Sequence, residues 1–278
     1  MDSEIRDSSG EGKEGAVAVA ERRDFLKTLG IGAAAAAAGA ATLVTGRPLE
    51  ALGAETKTPH YGMLIDLTRC TGCKACEVAC KSENNVPLGV FRRKVNYLEY
   101  GSYPKTGRAI APILCNHCDA PPCVEACPVD PITVTYNAPD GTTVEYVQKA
   151  TYKRPDGLVL VNNERCIGCQ QCVEACPYGA RYVHPYMKAG GDPDQNGIGK
   201  CDYCVHRLDQ GIEPSCANTC VGRAIVFGDM NDPGSEISKR LKGAKTGVWK
   251  PEAKTKPNTY YIALDKPEVL GEGVNARG

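Results

Sequence analysis

Three short apolar stretches interrupt a mixed polar sequence, and each has the length of a β-strand. They lie at Gly62–Leu67, Leu158–Val161 and Ala224–Phe227. Short runs of this kind favour strands over helices. A fourth segment, Ile132–Val147, has Thr, Val and Tyr on both sides of the turn sequence Pro139–Gly141, and it predicts a β-hairpin.

The segment Ile31–Val44 is weakly hydrophobic and consists mostly of Ala and Gly. Its length of about 14 residues is short of the roughly 20 that cross a bilayer. Before it come Arg22 and Arg23 and then the sequence Phe-Leu-Lys at Phe25–Lys27. The combination resembles a twin-arginine (Tat) export signal, with an Ala-rich amphipathic helix as the alternative. We therefore expect residues 1–54 to be cleaved after export through the Tat translocon.

Export by this route implies a cofactor inserted before the folded protein leaves the cytoplasm. We expect the protein at the periplasmic side, or on the outer face of the cytoplasmic membrane. No later segment is predicted as a transmembrane helix, so membrane association would depend on a partner.

Composition narrows the possible functions of the 278 residues. The 33 Lys and Arg balance the 33 Asp and Glu, which argues against nucleic acid as a partner. A hydrophobic share of 42% argues against general disorder, yet three Phe and one Trp are few for a core of this length. Something other than aromatic packing must stabilise the fold.

Sixteen cysteines form four groups of four, with none left over. Runs one to four are, in order, Cys70, Cys73, Cys76 and Cys80; Cys115, Cys118, Cys123 and Cys127; Cys166, Cys169, Cys172 and Cys176; and Cys201, Cys204, Cys216 and Cys220. Runs one and three have the spacing C-x-x-C-x-x-C-x-x-x-C of bacterial ferredoxins. Runs two and four keep the first C-x-x-C and the last C-x-x-x-C but widen the middle gap.

This spacing suits iron–sulfur clusters for a geometric reason. Three cysteines in a tight loop surround one cluster, and the fourth, a helical turn further on, faces a second cluster. Gly72 and Gly168, each before the second cysteine of its run, permit a close approach of the backbone. Pro128 and Pro177, after the fourth cysteine, end the short helix.

Two other uses of cysteine are weaker. A disulfide framework fits an exported chain but does not require triplets at three-residue intervals. Zinc sites with four thiolates come as two separated C-x-x-C pairs, which could describe run four but not runs one and three. A structural or non-redox metal module therefore remains only as a minor alternative to iron–sulfur clusters.

Sixteen thiolates at four per cubane predict four 4Fe-4S clusters. Each oxidised cubane with its thiolates carries about −2, so the loaded protein would be near −8. Nearby cations are expected to offset part of this charge; the candidates are Arg69, Lys74, Arg165, Lys200 and Arg207.

The order of the four runs resembles a known family, the four-cluster iron–sulfur subunits of complex iron–sulfur molybdoenzymes. These include tetrathionate, thiosulfate, polysulfide and dimethyl sulfoxide reductases. The resemblance rests on MLIDLTRCTGCKACEVACKSENNVPLGVFR at Met63–Arg92, CNHCDAPPCVEACPV at Cys115–Val129 and KCDYCVHRLDQGIEPSC at Lys200–Cys216. The segments Gly228–Leu241 and Lys256–Asp265 are similar to the tetrathionate and polysulfide type.

In this family, run one pairs with run four and run two with run three. The resemblance implies cluster 1 on Cys70, Cys73, Cys76 and Cys220; cluster 2 on Cys80, Cys201, Cys204 and Cys216; cluster 3 on Cys115, Cys118, Cys123 and Cys176; and cluster 4 on Cys127, Cys166, Cys169 and Cys172. The same sixteen residues are the expected iron ligands, and no catalytic residue is expected.

The implied fold class is α+β, with two bacterial-ferredoxin-like modules, an inserted hairpin and an extended C-terminal tail. The tandem ferredoxin-like domain would cover residues 60–230. Module A would comprise residues 62–100 and 196–230, and module B residues 108–190. Residues 231–278 would form a wrapping tail.

The resemblance implies a non-catalytic electron-transfer subunit of an oxidoreductase complex. Its partners would be a molybdopterin catalytic subunit and a membrane anchor that oxidises quinol. The catalytic partner would reduce tetrathionate, or else thiosulfate or polysulfide. The alternative is the equivalent subunit of a periplasmic NiFe hydrogenase or a quinol-linked nitrite reductase.

Several aromatic residues lie beside the runs without a clear ligand role. We interpret His117 and His206 as structural loop residues rather than proton carriers. Tyr178, Tyr182 and Tyr203 are expected to shield the clusters from water.

Overall fold

The computed structural model describes residues 58–185, 197–264 and 274. All of them belong to the unit Ala54–Gly278. The predicted export signal, residues 1–54, lies outside the described residues. Among the described residues, no helix is both long enough and apolar enough to cross a membrane.

Small helices and strands are mixed along the described chain, in agreement with the predicted α+β class. The strands are β1 (Tyr61–Asp66), β2 (Arg93–Ser102), β3 (Lys105–Leu114), β4 (Ile132–Asn137), β5 (Thr143–Gln148), β6 (Thr151–Lys153), β7 (Val159–Val161), β8 (Arg181–Val183), β9 (Ile198–Lys200), β10 (Ile225–Asp229), β11 (Thr246–Gly247) and β12 (Thr259–Ile262). The helices are α1 (Ala75–Glu83), α2 (Pro122–Glu125), α3 (Gln171–Glu174), α4 (Val205–Leu208), α5 (Ser215–Asn218) and α6 (Glu236–Gly243), with a 3₁₀ helix at Pro251–Ala253.

One four-stranded sheet forms the base of the fold, in the order β10-β1-β12-β11. Strand β1 is antiparallel to β10 and parallel to β12. Met63, Leu64 and Ile65 in β1 are fully buried, so the strand is apolar on both faces. Helix α6 covers one face and packs Ile237 against Leu64. The strands predicted at β1, β7 and β10 are confirmed.

Four two-stranded hairpins complete the described strands: β2–β3, β4–β5, β6–β7 and β8–β9. The predicted hairpin at Ile132–Val147 is confirmed as β4–β5, in which Asn137 faces Thr143. The longer hairpin β2–β3 was not predicted. Its first strand begins with the buried Arg93, and its far half is exposed, so its sequence lacks a clean apolar alternation.

The described part of the C-terminal tail contributes to the interior. Strand β12 lies inside the central sheet. Trp249 is 2% exposed and packs against the ring of Tyr178. The backbone just before β12 also bonds to the loop of run two. Asp119 N donates to Lys256 O at 2.8 Å, and Asn258 N donates to Asn116 O at 2.8 Å. The tail thereby connects the central sheet to the loop of run two.

Asn258 makes this connection through its side chain as well. Its Nδ2 donates to His117 O at 2.8 Å and to Asp119 Oδ1 at 2.8 Å, and the residue is 1% exposed. The carboxyl of Asp119 is partly buried, but His60, Lys153 and Asn258 hydrogen-bond to it and hold its pKa well below the usual range. Asp119 is therefore ionised at neutral pH.

We expect Asn258→Ala to lower the free energy of unfolding by about 1–3 kcal/mol, because the substitution leaves buried acceptors without their donor. Thermal unfolding followed by circular dichroism measures the effect. Asn231→Ala is the control, since Asn231 is exposed and its Nδ2 donates to Thr58 O at the surface. Equal changes in the two variants would contradict the connecting role.

Candidate metal centres

All sixteen cysteines lie within the described residues, and all are free thiols. Ten are buried, four are intermediate and two, Cys73 and Cys169, are exposed. The described residues bring no three Cys, His, Asp or Glu side chains around a point that a single metal ion could occupy. The cysteines instead line two cavities and form two further groups of neighbouring thiols.

The four runs share one local backbone feature. The residue before the second cysteine is left-handed in every run: φ is 72° at Gly72, 43° at His117, 70° at Gly168 and 55° at Tyr203. A residue with a β-carbon is rarely left-handed, because the β-carbon then crowds the backbone. Its recurrence at His117 and Tyr203 shows that the loop geometry overrides this local preference.

The third cysteine of every run also occupies one position. Cys76, Cys123, Cys172 and Cys216 are each the second residue of a helix, in α1, α2, α3 and α5. Backbone N–H groups in the first turn of a helix lack intrahelical partners and favour a negative charge. Each run therefore presents its third cysteine in the first turn of a helix, where the free N–H groups offset part of the cost that burial imposes on a thiolate.

Packing of these helices brings the runs together in pairs. Helix α1, from run one, packs against α5, from run four. Helix α2, from run two, packs against α3, from run three. The fourth cysteine of each run lies four residues after the third, so each pair of helices brings together thiols from both of its runs.

Two groups of four cysteines line cavities. One cavity is lined by Cys70, Cys73, Cys76 and Cys220. A second is lined by Cys127, Cys166, Cys169 and Cys172. Among the described residues that line them, neither cavity has an Asp, Glu or His. Each contains three thiols of one run and the fourth thiol of another.

Two further groups of thiols are buried. Burial raises the pKa of Cys80 to about 12, and the thiols of Cys216 and Cys204 contribute to the rise. Burial also raises the pKa of Cys201 well above its usual value, with Cys80 and Cys216 again among its neighbours. These four thiols are therefore close enough to oppose one another's ionisation.

The last group comprises Cys118 with Cys115, Cys123 and Cys176. Burial raises the pKa of Cys118 to about 12, and the other three thiols each contribute. A buried thiol with a raised pKa is protonated at neutral pH unless a metal or cation favours the thiolate. The donor chemistry thus fits a soft metal cluster held by four thiolates.

Backbone donors approach the fourth cysteines of runs two and four. Thr151 N lies 3.5 Å from Cys127 Sγ, and Ala224 N lies 3.3 Å from Cys220 Sγ. Hydrogen bonds to ligand sulfurs stabilise the thiolate and shift cluster potentials.

The cations predicted from the sequence to offset cluster charge are only partly placed to do so. Lys200 is 3% exposed, and its Nζ donates to Cys201 O. Arg207 bonds to Glu83, and Arg165 bonds to the carbonyls of Gln148 and Asp130. The remaining two, Arg69 and Lys74, are exposed but line the cavity that contains Cys70, Cys73, Cys76 and Cys220.

Sequence reasoning missed the two arginines that contact thiols directly. Arg93 lies 3.6 Å from Cys216 Sγ, and Arg181 lies 3.1 Å from Cys123 Sγ. The available signal was their place in the sequence, because each begins the strand that follows an odd-numbered run.

The two histidines beside the runs differ in their surroundings. His206 is half exposed and lies 2.9 Å from Glu83. His117 is fully buried, accepts a hydrogen bond from Val159 N at 3.1 Å, and stacks on Tyr203 with ring centroids 3.7 Å apart. Burial, together with Lys200, lowers the pKa of His117 well below its usual value, so the ring is neutral. The aromatic shielding predicted for Tyr178, Tyr182 and Tyr203 agrees with their burial.

Comparison with known proteins gives two family matches within the chain. A 4Fe-4S binding domain matches residues 61–82, and a 4Fe-4S dicluster domain matches residues 107–230. Together they include all four cysteine runs.

Whole-chain relatives agree with these matches. The beta subunit of tetrathionate reductase from Salmonella typhimurium is 39% identical over 261 residues, which cover 88% of each chain. Protein NrfC of Escherichia coli is 35% identical over 250 residues, or 89% of this chain and 97% of the relative. The beta subunit of selenate reductase from Mesobacillus selenatarsenatis is 35% identical over 225 residues, or 72% of this chain and 70% of the relative. With four such cysteine runs and these relatives, the chain belongs to the iron–sulfur beta subunits of the molybdoenzyme reductases.

Proposed function

We propose that this chain is the electron-transfer subunit of an exported reductase complex and carries four 4Fe-4S clusters. The observation that carries the proposal is the convergence of all sixteen thiols into four groups of four cysteines. A 4Fe-4S cluster, when bound, supplies reversible one-electron transfer. The protein's own part is to hold the thiolates, exclude water and set the electrostatic environment.

The proposed ligand sets follow the four groups. Cluster 1 takes Cys70, Cys73, Cys76 and Cys220; cluster 2 takes Cys80, Cys201, Cys204 and Cys216; cluster 3 takes Cys115, Cys118, Cys123 and Cys176; and cluster 4 takes Cys127, Cys166, Cys169 and Cys172. In each set, three thiols come from one run and one from its paired run. The cavity linings support sets 1 and 4, and the shared electrostatics of the thiols support sets 2 and 3.

Exposure suggests where electrons enter and leave. Cys73 of set 1 and Cys169 of set 4 are exposed, whereas the thiols of set 2 are all buried and those of set 3 are buried or intermediate. An exposed apolar side chain lies next in sequence to a cysteine of each set: Val221 is 75% exposed and follows Cys220, and Ile167 is 69% exposed and follows Cys166. We assign clusters 1 and 4 to the contacts with partners and clusters 2 and 3 to the interior.

The two interior sets meet at one place in the fold. Cys115 of set 3 contributes to the raised pKa of Cys201 in set 2. The stacked rings of His117 and Tyr203 come from the loops of runs two and four. This closely packed contact offers the route between module A, built from runs one and four, and module B, built from runs two and three.

The partners proposed are a molybdopterin catalytic subunit and a membrane anchor that oxidises quinol. Tetrathionate is the first choice of substrate for the catalytic subunit, because the relative from tetrathionate reductase is 39% identical to this chain, against 35% for protein NrfC and for the selenate reductase subunit. Thiosulfate and polysulfide follow. The twin arginine at Arg22 and Arg23 supports export through the Tat translocon to the periplasmic side.

A second candidate keeps the electron-transfer role but changes the enzyme served. Relatives named protein NrfC cover 89% of this chain, as much as the tetrathionate reductase relative covers. The same set of clusters would then serve a quinol-linked nitrite reductase or, as a further alternative, a periplasmic NiFe hydrogenase.

Metal analysis of the native complex, purified through this subunit, separates a molybdoenzyme from a hydrogenase. We expect about sixteen iron and as many sulfide from this chain, together with molybdenum or tungsten from the catalytic partner. Nickel in place of molybdenum would assign the subunit to a hydrogenase. Zinc without acid-labile sulfide would refute the electron-transfer role.

Substitution of one fourth ligand tests the pairing of the runs. Cys220→Ser should lose or convert the cluster held by Cys70, Cys73 and Cys76, because the thiol of Cys220 lines their cavity. Electron paramagnetic resonance during a redox titration identifies the altered cluster. Cys216→Ser, four residues earlier, is the matched variant and should alter a different cluster. If both variants alter the same cluster, the assignment of Cys220 to cluster 1 and of Cys216 to cluster 2 is wrong.

The two proposed contacts with partners can be tested without touching a ligand. We expect Ile167→Asp and Val221→Asp each to slow electron transfer to one partner by about tenfold, equivalent to about 1.4 kcal/mol of docking free energy. Stopped-flow reduction and reoxidation of the clusters measure the two steps separately. Leu88→Asp is the control, since Leu88 is 82% exposed but lies outside the runs. An equal effect of all three variants would contradict the assignment.

A further inference from the structure

Two arginines in the described residues are buried without a carboxylate as their main electrostatic partner. Arg93 is 1% exposed and Arg181 is 2% exposed. By contrast, Arg92 bonds to Asp202 at 2.7 Å, and Arg154 bonds to Asp156 at 2.7 Å. A buried guanidinium requires compensating negative charge, because burial removes its hydration.

Thiols take the place of carboxylates around both arginines. The thiols of Cys216 and Cys76 are the first electrostatic partners of the Arg93 guanidinium. The thiols of Cys123 and Cys172 are the first electrostatic partners of the Arg181 guanidinium. In both cases the two thiols are the third cysteines of the paired runs.

Direct contacts aim each guanidinium at sulfur. Arg93 Nη1 lies 3.6 Å from Cys216 Sγ, and Arg181 Nη2 lies 3.1 Å from Cys123 Sγ. Arg93 Nε and Nη2 are buried with no hydrogen-bond partner among the described residues. These N–H groups remain as donors for a sulfur-rich group bound beside them.

The two arginines hold equivalent positions in the two halves of the sequence. Arg93 is the first residue of β2 and pairs with Leu114, the residue before Cys115. Arg181 is the first residue of β8 and pairs with Lys200, the residue before Cys201. Each therefore follows an odd-numbered run and faces the start of the next run.

We propose that Arg93 and Arg181 are a matched pair of buried cations, one in each module, that raise the reduction potentials of the clusters beside them. The proposal rests on the four-cluster function proposed above. Reduction adds one negative charge to a cluster, and a fixed positive charge at short range in a low-dielectric interior stabilises the reduced form more than the oxidised form. Hydrogen bonds from the guanidinium to the ligand sulfur act in the same direction.

The positions of the two arginines make the effect specific to one module. Arg93 contacts Cys216 of cluster 2 and interacts electrostatically with Cys76 of cluster 1. Arg181 contacts Cys123 of cluster 3 and interacts electrostatically with Cys172 of cluster 4. An arginine with a purely structural role would affect stability or cluster content. It would not shift the potentials of two clusters while leaving the other two unchanged.

The test uses the intact complex and the variants Arg93→Gln, Arg93→Lys, Arg181→Gln and Arg181→Lys. Arg154→Gln is the matched control, because Arg154 is a largely buried arginine whose partners are Asp156 and Asp209. Iron and sulfide content are measured first. The midpoint potentials of all four clusters are then obtained by redox titration followed by electron paramagnetic resonance.

We expect each Gln variant to make its own two clusters harder to reduce by at least about tenfold in equilibrium constant, which is about 59 mV for one electron. The other two clusters should keep their potentials. Each Lys variant should show a smaller shift confined to the same two clusters, because the charge remains but the fork of donors is lost. Arg154→Gln should shift none of them.

Unchanged potentials in fully loaded Gln variants would overturn the proposal, as would equal shifts in all four clusters. If a Gln variant fails to load iron, the Met variant at the same position decides, because it also removes the charge. A shift confined to its own two clusters supports the proposal, and unchanged potentials refute it. Failure of the underlying function is recognised separately, since the wild-type complex would then lack about sixteen iron from this chain.

Discussion

Removal of a thiolate from water is the unfavourable step that the structure must compensate. Ten of the sixteen thiols are buried, and burial raises the pKa of Cys80 and Cys118 to about 12. At neutral pH these groups are protonated unless something positive replaces the lost hydration. Iron binding and proton release are therefore coupled in such a site, and the fold must present thiols that exchange a proton for a metal.

The local structure reduces this cost in the same way at each run. A left-handed residue before the second cysteine turns the loop, and a helix begins just before the third cysteine. The chain repeats the larger pattern as well. Run one, hairpin β2–β3 and run two are followed later by run three, hairpin β8–β9 and run four. An arginine begins the first strand of both hairpins, so the cation recurs with the thiols that it faces.

The sequence predicted the parts of this arrangement that depend on neighbouring residues. Cysteine spacing, the glycines at positions Gly72 and Gly168 and the turn at Pro139–Gly141 are local signals, and the structure contains the corresponding loops and hairpin. Arg93 could not be found in this way, because it contacts a cysteine 123 residues further along the chain. Strand β12 was missed for the same reason, since it acquires its place by pairing in parallel with β1, from the opposite end of the described chain. The pairing of run one with run four is also a long-range contact, and the sequence suggested it only through the resemblance to a known family.

Long-range contacts also explain how the two pairs of runs are held in fixed positions relative to each other. The tail joins the central sheet through β12 and bonds to the loop of run two through Asn258. Beside that bond, His117 and Tyr203 stack and close the contact between runs two and four. Tunnelling depends steeply on distance, so a contact fixed by a sheet strand, a buried amide and two stacked rings suits electron transfer without motion. Under the proposed function, exposure is needed only where electrons pass to partners, and Cys73 and Cys169 are the two exposed cysteines.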